Sequence, residues 1–150
     1  MIAYIGSFLI LLAFLNALLL ITSKPILSKI TVDYESIVLS SSKLLFPLTL
    51  FSFICLIFSF LLDDFSLRYV SSNSNSLLPD HYKISATWAG HEGSMLLWCL
   101  VLSFWTFLAS IYSRNLELDF RLNFLTIMGL LNLGFLAFLI FTSNPFEKNI

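Results

Sequence analysis

The first residues in this chain that could do chemistry are two histidines, and both fall in one stretch, LPDHYKISATWAGHEGSMLLW, from Leu78 to Trp98. His91-Glu92 begins like a zinc-protease helix, but that chemistry needs a second imidazole one turn on. Position 95 is Met95, and Gly93 weakens the helix that would carry the pair. His91, Glu92 and Ser94 are the residue types of a hydrolase triad, crowded too closely in sequence to reach one another in working order. Two imidazoles fall short of a closed structural zinc site, and no cysteine lies beside them. His81 and His91 could approach a haem iron; the plainer reading, which we favour, is that they hydrogen-bond to backbone or lipid headgroups. Cys55 and Cys99 lie in separate apolar runs with no CxxC pair, as small packing residues do. The residue types therefore assign no catalytic residue and no metal site.

The elements that must position this stretch are membrane helices. Hydrophobic residues make up 58% of the 150-residue chain and charged residues only 11%, which is too few for a water-facing surface. The net charge of -1 and the lack of any basic run exclude a nucleic-acid binder. Four apolar runs, 2–21, 44–62, 95–112 and 122–141, hold no Asp, Glu, Lys or Arg. At about 20 residues each they can cross a hydrocarbon core of roughly 30 Å, and backbone in lipid must pair within its own segment. The fold class is an all-α integral membrane protein with four transmembrane helices. No Lys or Arg precedes Lys24, so the apolar start is read as a retained span rather than a cleaved signal.

The connectors set the orientation. The first runs from Thr22 to Lys43, turns at Pro25, and has a middle, ILSKITVDYESIVLS, polar enough to lie along the membrane surface. Pro47 is expected in the first turn of the second span, where a missing N–H costs little. The polar segment 63–94 contains the tract SSNSNS, read as a solvated loop, and Pro79, a turn former. Lys24, Lys29, Lys43, Arg114 and Arg121 lie on one side, against Arg68, Lys83 and Lys148 on the other. The positive-inside rule then places loop 63–94 and both termini on the outer face.

Ser94 is the expected N-cap of the third span, with Glu92 suiting the positive end of its dipole. Met95, Trp98, Leu102, Trp105 and Ala109 share a stripe at helical spacing. That stripe could form a wall for a flat apolar ligand, but ordinary helix packing is the plainer reading. Asn16, Asn132, Gly129 and Gly134 are expected to face the bundle. No Asp, Glu, Lys, Arg or His lies in a span, which argues against an ion-coupled transporter.

The run YKISATWAGHEGSMLLW, preceded by DDFSLRYVSSNSNSLLP and followed later by FTSNPFEK, resembles the N-terminal part of the CcmF/NrfE family, membrane subunits of the bacterial-type cytochrome c haem lyase. The matching residues are Trp88, Gly90, His91, Glu92, Gly93, Ser94, Trp98, Ser143, Asn144, Pro145 and Phe146. The resemblance implies a role in cytochrome c maturation, with haem as cofactor and cargo. It implies as partners membrane lipid, the remainder of a CcmF-like subunit, a CcmH-type thiol subunit, the haem chaperone CcmE and apocytochrome c. The family's tryptophan-rich WWD segment and its haem-ligating histidines are not matched here, so the chain is expected to be a truncated or split piece that is not catalytic alone. Within it, Trp88, His91 and Trp98 are candidates for a haem-facing surface. Gly90, Glu92, Gly93 and Ser94 are candidates for a structural motif beneath that surface. The resemblance implies a bacterial inner membrane with loop 63–94 periplasmic, or alternatively a mitochondrial inner membrane. The competing function is a small scaffold that binds partner proteins without touching haem.

Overall fold

The computed structural model describes residues 1–23 and 33–149. Four long helices, α1 (Ile2–Thr22), α2 (Tyr34–Leu61), α5 (His91–Tyr112) and α6 (Leu118–Thr142), are each long and apolar enough to cross a membrane. Two short helices, α3 (Arg68–Asn73) and α4 (Asp80–Ala86), lie between α2 and α5, and a 3₁₀ turn (Ser113–Asn115) links α5 to α6. The long helices run up and down as a bundle in which α1 packs on α2 and α6, and α5 packs on α2 and α6.

Small residues decide which faces meet. Along α1, Ala3, Gly6, Ala13 and Ala17 are buried while Tyr4, Phe8, Leu11, Leu15 and Leu19 point outward. In lipid the outward leucines gain nothing by turning in, so association rests on close backbone approach and on hydrogen bonds between helices. The Asn16 amide donates to the Ser41 carbonyl at 2.8 Å, and the Ser52 hydroxyl donates to the Gly6 carbonyl at 3.0 Å, both tying α1 to α2. Thr49 and Ser103 hydroxyls meet at 2.6 Å between α2 and α5. The Asn132 amide donates to the Thr106 hydroxyl at 2.8 Å between α6 and α5. Asn16, Asn132 and Gly129 thus face the bundle as expected, with Gly129 against Leu20. Gly134 does not: nothing stands within 4 Å of where its side chain would begin.

Several expectations change. Lys24, Pro25 and Lys29 lie outside the described residues. The surface-lying segment is replaced, from Tyr34 on, by continuous helix that carries Lys43 and joins the second apolar run. Asp33 caps it, its side chain accepting from the Ser36 N–H at 3.2 Å, and Glu35 suits the first turn. Twenty-eight residues make a helix of roughly 42 Å, longer than a hydrocarbon core, so its polar first turns can stand beyond the lipid. Pro47 is consequently inside the helix rather than in its first turn, and leaves the Lys43 carbonyl without its usual donor. The SSNSNS tract is half helical, since Ser71, Ser72 and Asn73 belong to α3. Arg121 sits within α6, where its guanidinium donates to the Ser110 carbonyl at 2.6 Å and the Ser113 hydroxyl at 3.1 Å.

Candidate functional site

The site is the cap formed at one end of the bundle by residues 63–94 and the tail after α6. It starts where α2 stops. The Asp63 N–H donates to the Phe60 carbonyl at 3.2 Å and the Asp64 N–H to the Ser59 carbonyl at 3.0 Å, the two bonds of a Schellman stop. That stop requires a left-handed residue, and Asp63 supplies it with φ 52°. The same turn aims its carboxylate at Lys83 of α4, whose ammonium meets Asp63 Oδ2 at 2.6 Å with the lysine side chain only 5% exposed. Taking an ammonium out of water is costly, and the carboxylate is the partner that offsets that cost. Asp63 Oδ1 is buried and has no hydrogen-bond partner among the described residues, so Lys83 is the contact this carboxylate makes there.

Tyr69 is the centre of the cap. Buried against Phe60, its hydroxyl donates to the Thr87 carbonyl at 3.1 Å and accepts from the Gly90 N–H at 3.0 Å. Burial pushes its pKa above the usual tyrosine value, opposed by the nearby Gly90 and Gly93 N–H groups and reinforced by the Glu92 charge. One hydroxyl therefore joins α3, the end of α4 and the start of α5.

The two glycines exist to let that hydroxyl in. A Cβ on Gly90 would lie 2.7 Å from the Tyr69 ring, and one on Gly93 would lie 1.7 Å from the Thr87 carbonyl oxygen and 2.5 Å from the Tyr69 hydroxyl. Helix α5 begins at His91 with Gly90 as N-cap, and no side chain caps it. Ser94 is therefore not the cap. It sits one turn inside and donates to the Trp88 carbonyl at 2.7 Å, closing the α4–α5 turn from within. Glu92 does stand in the first turn, at the positive end of the dipole.

On the outer side of this turn stand the three candidates for a ligand-facing surface. Trp88 is 41% exposed in the turn itself, His91 is exposed at the first position of α5, and Trp98 is 58% exposed two turns further along. His91 and Trp98 share one face of α5 by helical spacing, with Met95 between them. The His91 ring is fixed from α6: its Nδ1 meets the Ser143 hydroxyl at 3.1 Å, and Phe138 packs edge-on at 6.0 Å. Beside it an apolar groove of about 480 Å³ runs between α5 and α6, floored by Gly134 and walled by Met95, Leu130, Phe135 and Phe138. Trp98 and Trp105 point away from the bundle while Met95 and Ala109 pack against its core, so the stripe is divided between an outward tryptophan edge and internal packing.

The tail closes the cap. After the Asn144 side chain accepts from the Phe146 N–H at 3.0 Å, Phe146 inserts beside Gly6, whose Cβ would meet its ring at 2.3 Å. Leu67 and Lys148 pair across an isolated antiparallel bridge, and the Asn149 N–H donates to the Ser66 carbonyl at 2.9 Å.

His81 lies apart on the exposed side of α4, its ring 4.4 Å from that of Tyr82 and tilted by 42°, and Cys55 and Cys99 are separate free thiols on α2 and α5. Sequence reasoning missed Asp63, Lys83 and Tyr69. The glycine pair three residues apart was the visible trace of a crowded contact, but its partners are backbone carbonyls and one phenol, which carry no motif. Among the described residues no three His, Cys, Asp or Glu side chains converge to hold a metal ion. For haem, the chain offers aromatic and apolar surface with one oriented imidazole, which fits contact with a porphyrin face but does not make a closed ligand set.

These features define a multi-pass helical membrane protein with an ordered polar cap at one end. No family model matches the chain. It is 52% identical over 103 residues to the cytochrome c-type biogenesis protein CcmF of Pseudomonas fluorescens, covering 69% of this chain and 16% of that one. It is 47% identical over 107 residues to the protein of the same name from Escherichia coli, covering 71% of this chain and 16% of that one. A solved structure titled cytochrome c heme lyase CcmF superposes with a TM-score of 0.87 at 27% identity, covering 98% of this chain and 25% of that chain. The chain belongs to the CcmF/NrfE family, and it spans about one sixth of the length of the curated relatives it matches.

Proposed function

We propose that this chain serves cytochrome c maturation as the N-terminal four-helix part of a CcmF-type haem lyase. In this reading the cap is a rigid platform. Tyr69, Gly90 and Gly93 lock the α4–α5 turn, Glu92 and Ser94 complete it, and Trp88, His91 and Trp98 form the surface along which haem passes as cargo. The cap faces the periplasm of a bacterial inner membrane, with Arg114 and Arg121 at the cytoplasmic end. The remainder of the CcmF-like subunit joins along the open α5–α6 face. The haem chaperone CcmE, a CcmH-type thiol subunit and apocytochrome c then meet at the cap.

The observation that carries the reading is the superposition of nearly the whole chain, cap included, on a solved haem lyase at a TM-score of 0.87. What the residues here do is bind and orient: the Ser143 contact holds the His91 imidazole by Nδ1, with no partner on Nε2 among the described residues, while the indoles provide flat apolar contact. Haem itself supplies the vinyl groups and the iron.

The test is made in cells that carry out maturation. Trp88→Ala combined with Trp98→Ala is expected to lower holocytochrome c about tenfold, of the order set by losing two aromatic contacts of roughly 0.5–1.5 kcal/mol each, while the chain accumulates in the membrane at its normal level. Normal holocytochrome c in that double variant would sink the reading.

A further inference from the structure

We propose that a slot between α1 and α6, at the capped end of the bundle, binds one anionic phospholipid. The slot has a volume of about 380 Å³ and is walled by Phe8, Ile10, Leu11 and Ile140, with Tyr4, Ser7 and Asn144 toward its mouth. Its apolar wall from Phe8 to Leu11 follows the helix inward from the membrane surface, the direction an acyl chain takes.

The chemistry of the mouth selects the headgroup. Lys148 Nζ donates to the Tyr4 hydroxyl at 2.5 Å and stands 4.2 Å from the centre of its ring, which leaves its other two hydrogens to point elsewhere. Tyr4, having accepted that bond, has its own hydroxyl hydrogen to give. The Asn144 carbonyl oxygen is used by the Phe146 N–H, so its amide hydrogens remain. The Ser7 hydroxyl has no partner among the described residues. Three donors thus line the slot with no carboxylate among the lining residues, and a fourth, the cationic Lys148, stands beside it on Tyr4. The nearest acid in the tail, Glu147, is turned to Arg68 at 3.7 Å. A cluster of donors above an apolar trough is complementary to a phosphodiester carrying acyl chains.

The arrangement is built rather than incidental. Lys148 comes from a tail whose backbone is held by the bridge to Leu67 and by the Asn149 bond to Ser66, which keeps it within reach of Tyr4. The two apolar grooves along α5 and α6 do not combine these features. The one beside His91 has a single imidazole at its edge, and the one between Trp105 and Phe124 is apolar apart from its aromatic tips.

The full chain is reconstituted in nanodiscs of mixed phosphatidylglycerol and phosphatidylcholine, extracted in mild detergent, and weighed by native mass spectrometry. One phosphatidylglycerol per chain is expected to survive extraction. Lys148→Gln should reduce the retained fraction about fivefold, the equivalent of roughly 1 kcal/mol per cation near a phosphate. Lys148→Arg should restore it, and Lys43→Gln, at the other end, should leave it unchanged; circular dichroism confirms that each variant is helical. Equal retention in Lys148→Gln, equal retention of phosphatidylcholine, or displacement of the lipid by millimolar inorganic phosphate would each overturn the assignment.

Discussion

The cap and the outward face of α5 and α6 are built on opposite rules, though they adjoin at His91. The cap is held by specific polar contacts: Tyr69 joins three elements, Lys83 is buried on Asp63, and the tail is tied back by Leu67 and Asn149. Along the outward face Trp98, Trp105, Leu130, Leu131 and Phe138 stand exposed around an open groove. Gly93 and Gly134 summarise the contrast. One has a carbonyl oxygen 1.7 Å from where its Cβ would be, and the other has nothing within 4 Å. A region that must hold one shape spends its glycines on contact within the chain. A region that meets lipid or another helix leaves its glycine open.

The strongest way to break the contrast is Gly93→Ala. The added methyl would collide with the Thr87 carbonyl, a backbone atom that cannot swing aside, and with the Tyr69 hydroxyl that pins it. Overpacking in a tight core costs about 1–3 kcal/mol, and a backbone collision falls at the top of that range. We expect the α4–α5 turn to open and hydrogen exchange at Gly90 to speed up by about a hundredfold, read by mass spectrometry on the purified chain. Exchange as slow as in the parent would show that the cap is not the rigid region.

The next effect comes from Asp63→Asn, which keeps a side chain tolerated at positive φ but removes the charge facing Lys83. Breaking a fully buried pair costs about 3–5 kcal/mol; with the Asp63 side chain 26% exposed, water relieves part of this, and about 2 kcal/mol is expected. Lys83→Met in the same chain should recover most of the loss, because it removes the stranded cation as well. Thermal unfolding in detergent, compared across the two variants, reads both numbers. An unaltered midpoint for Asp63→Asn would mean that Lys83 finds another partner.

How far the sequence reveals this division follows from the kind of partner each residue has. The four spans are legible because lipid leaves a chain no other way to pair its backbone, and uncharged runs of about 20 residues state that directly. The start of α2 was obscured by the polar mix ILSKITVDYESIVLS, although Asp33 followed by Glu35 is a readable helix start. Misplacing that start put Pro47 in a first turn it does not occupy. In the cap, the WAGHEGS block is conspicuous as a string, yet the residue that organises it is Tyr69, about twenty positions earlier. Its partners are main-chain atoms of Thr87 and Gly90, which any sequence would supply. The tryptophans were visible as a stripe, but a period of 3.6 gives the face and not which side of the helix meets the bundle.

The smallest expected effect is the most informative about the open face. Gly134→Ala should leave the isolated four-helix chain within about 1 kcal/mol of the parent, on the stabilising side, since alanine is the better helix former and its methyl meets nothing. The outcome should differ once a further membrane helix seats on α6. Small residues allow close helix approach in lipid, and a methyl there would push the partner away. The measurement is therefore made twice. Unfolding of the chain alone gives the first value, and co-purification with a tagged polypeptide carrying the rest of a CcmF-like subunit gives the second. An unchanged midpoint with weakened co-purification marks this face as the joint. If the midpoint of the isolated chain falls instead, the groove closes on itself in the membrane, and the two regions are less different than their glycines imply.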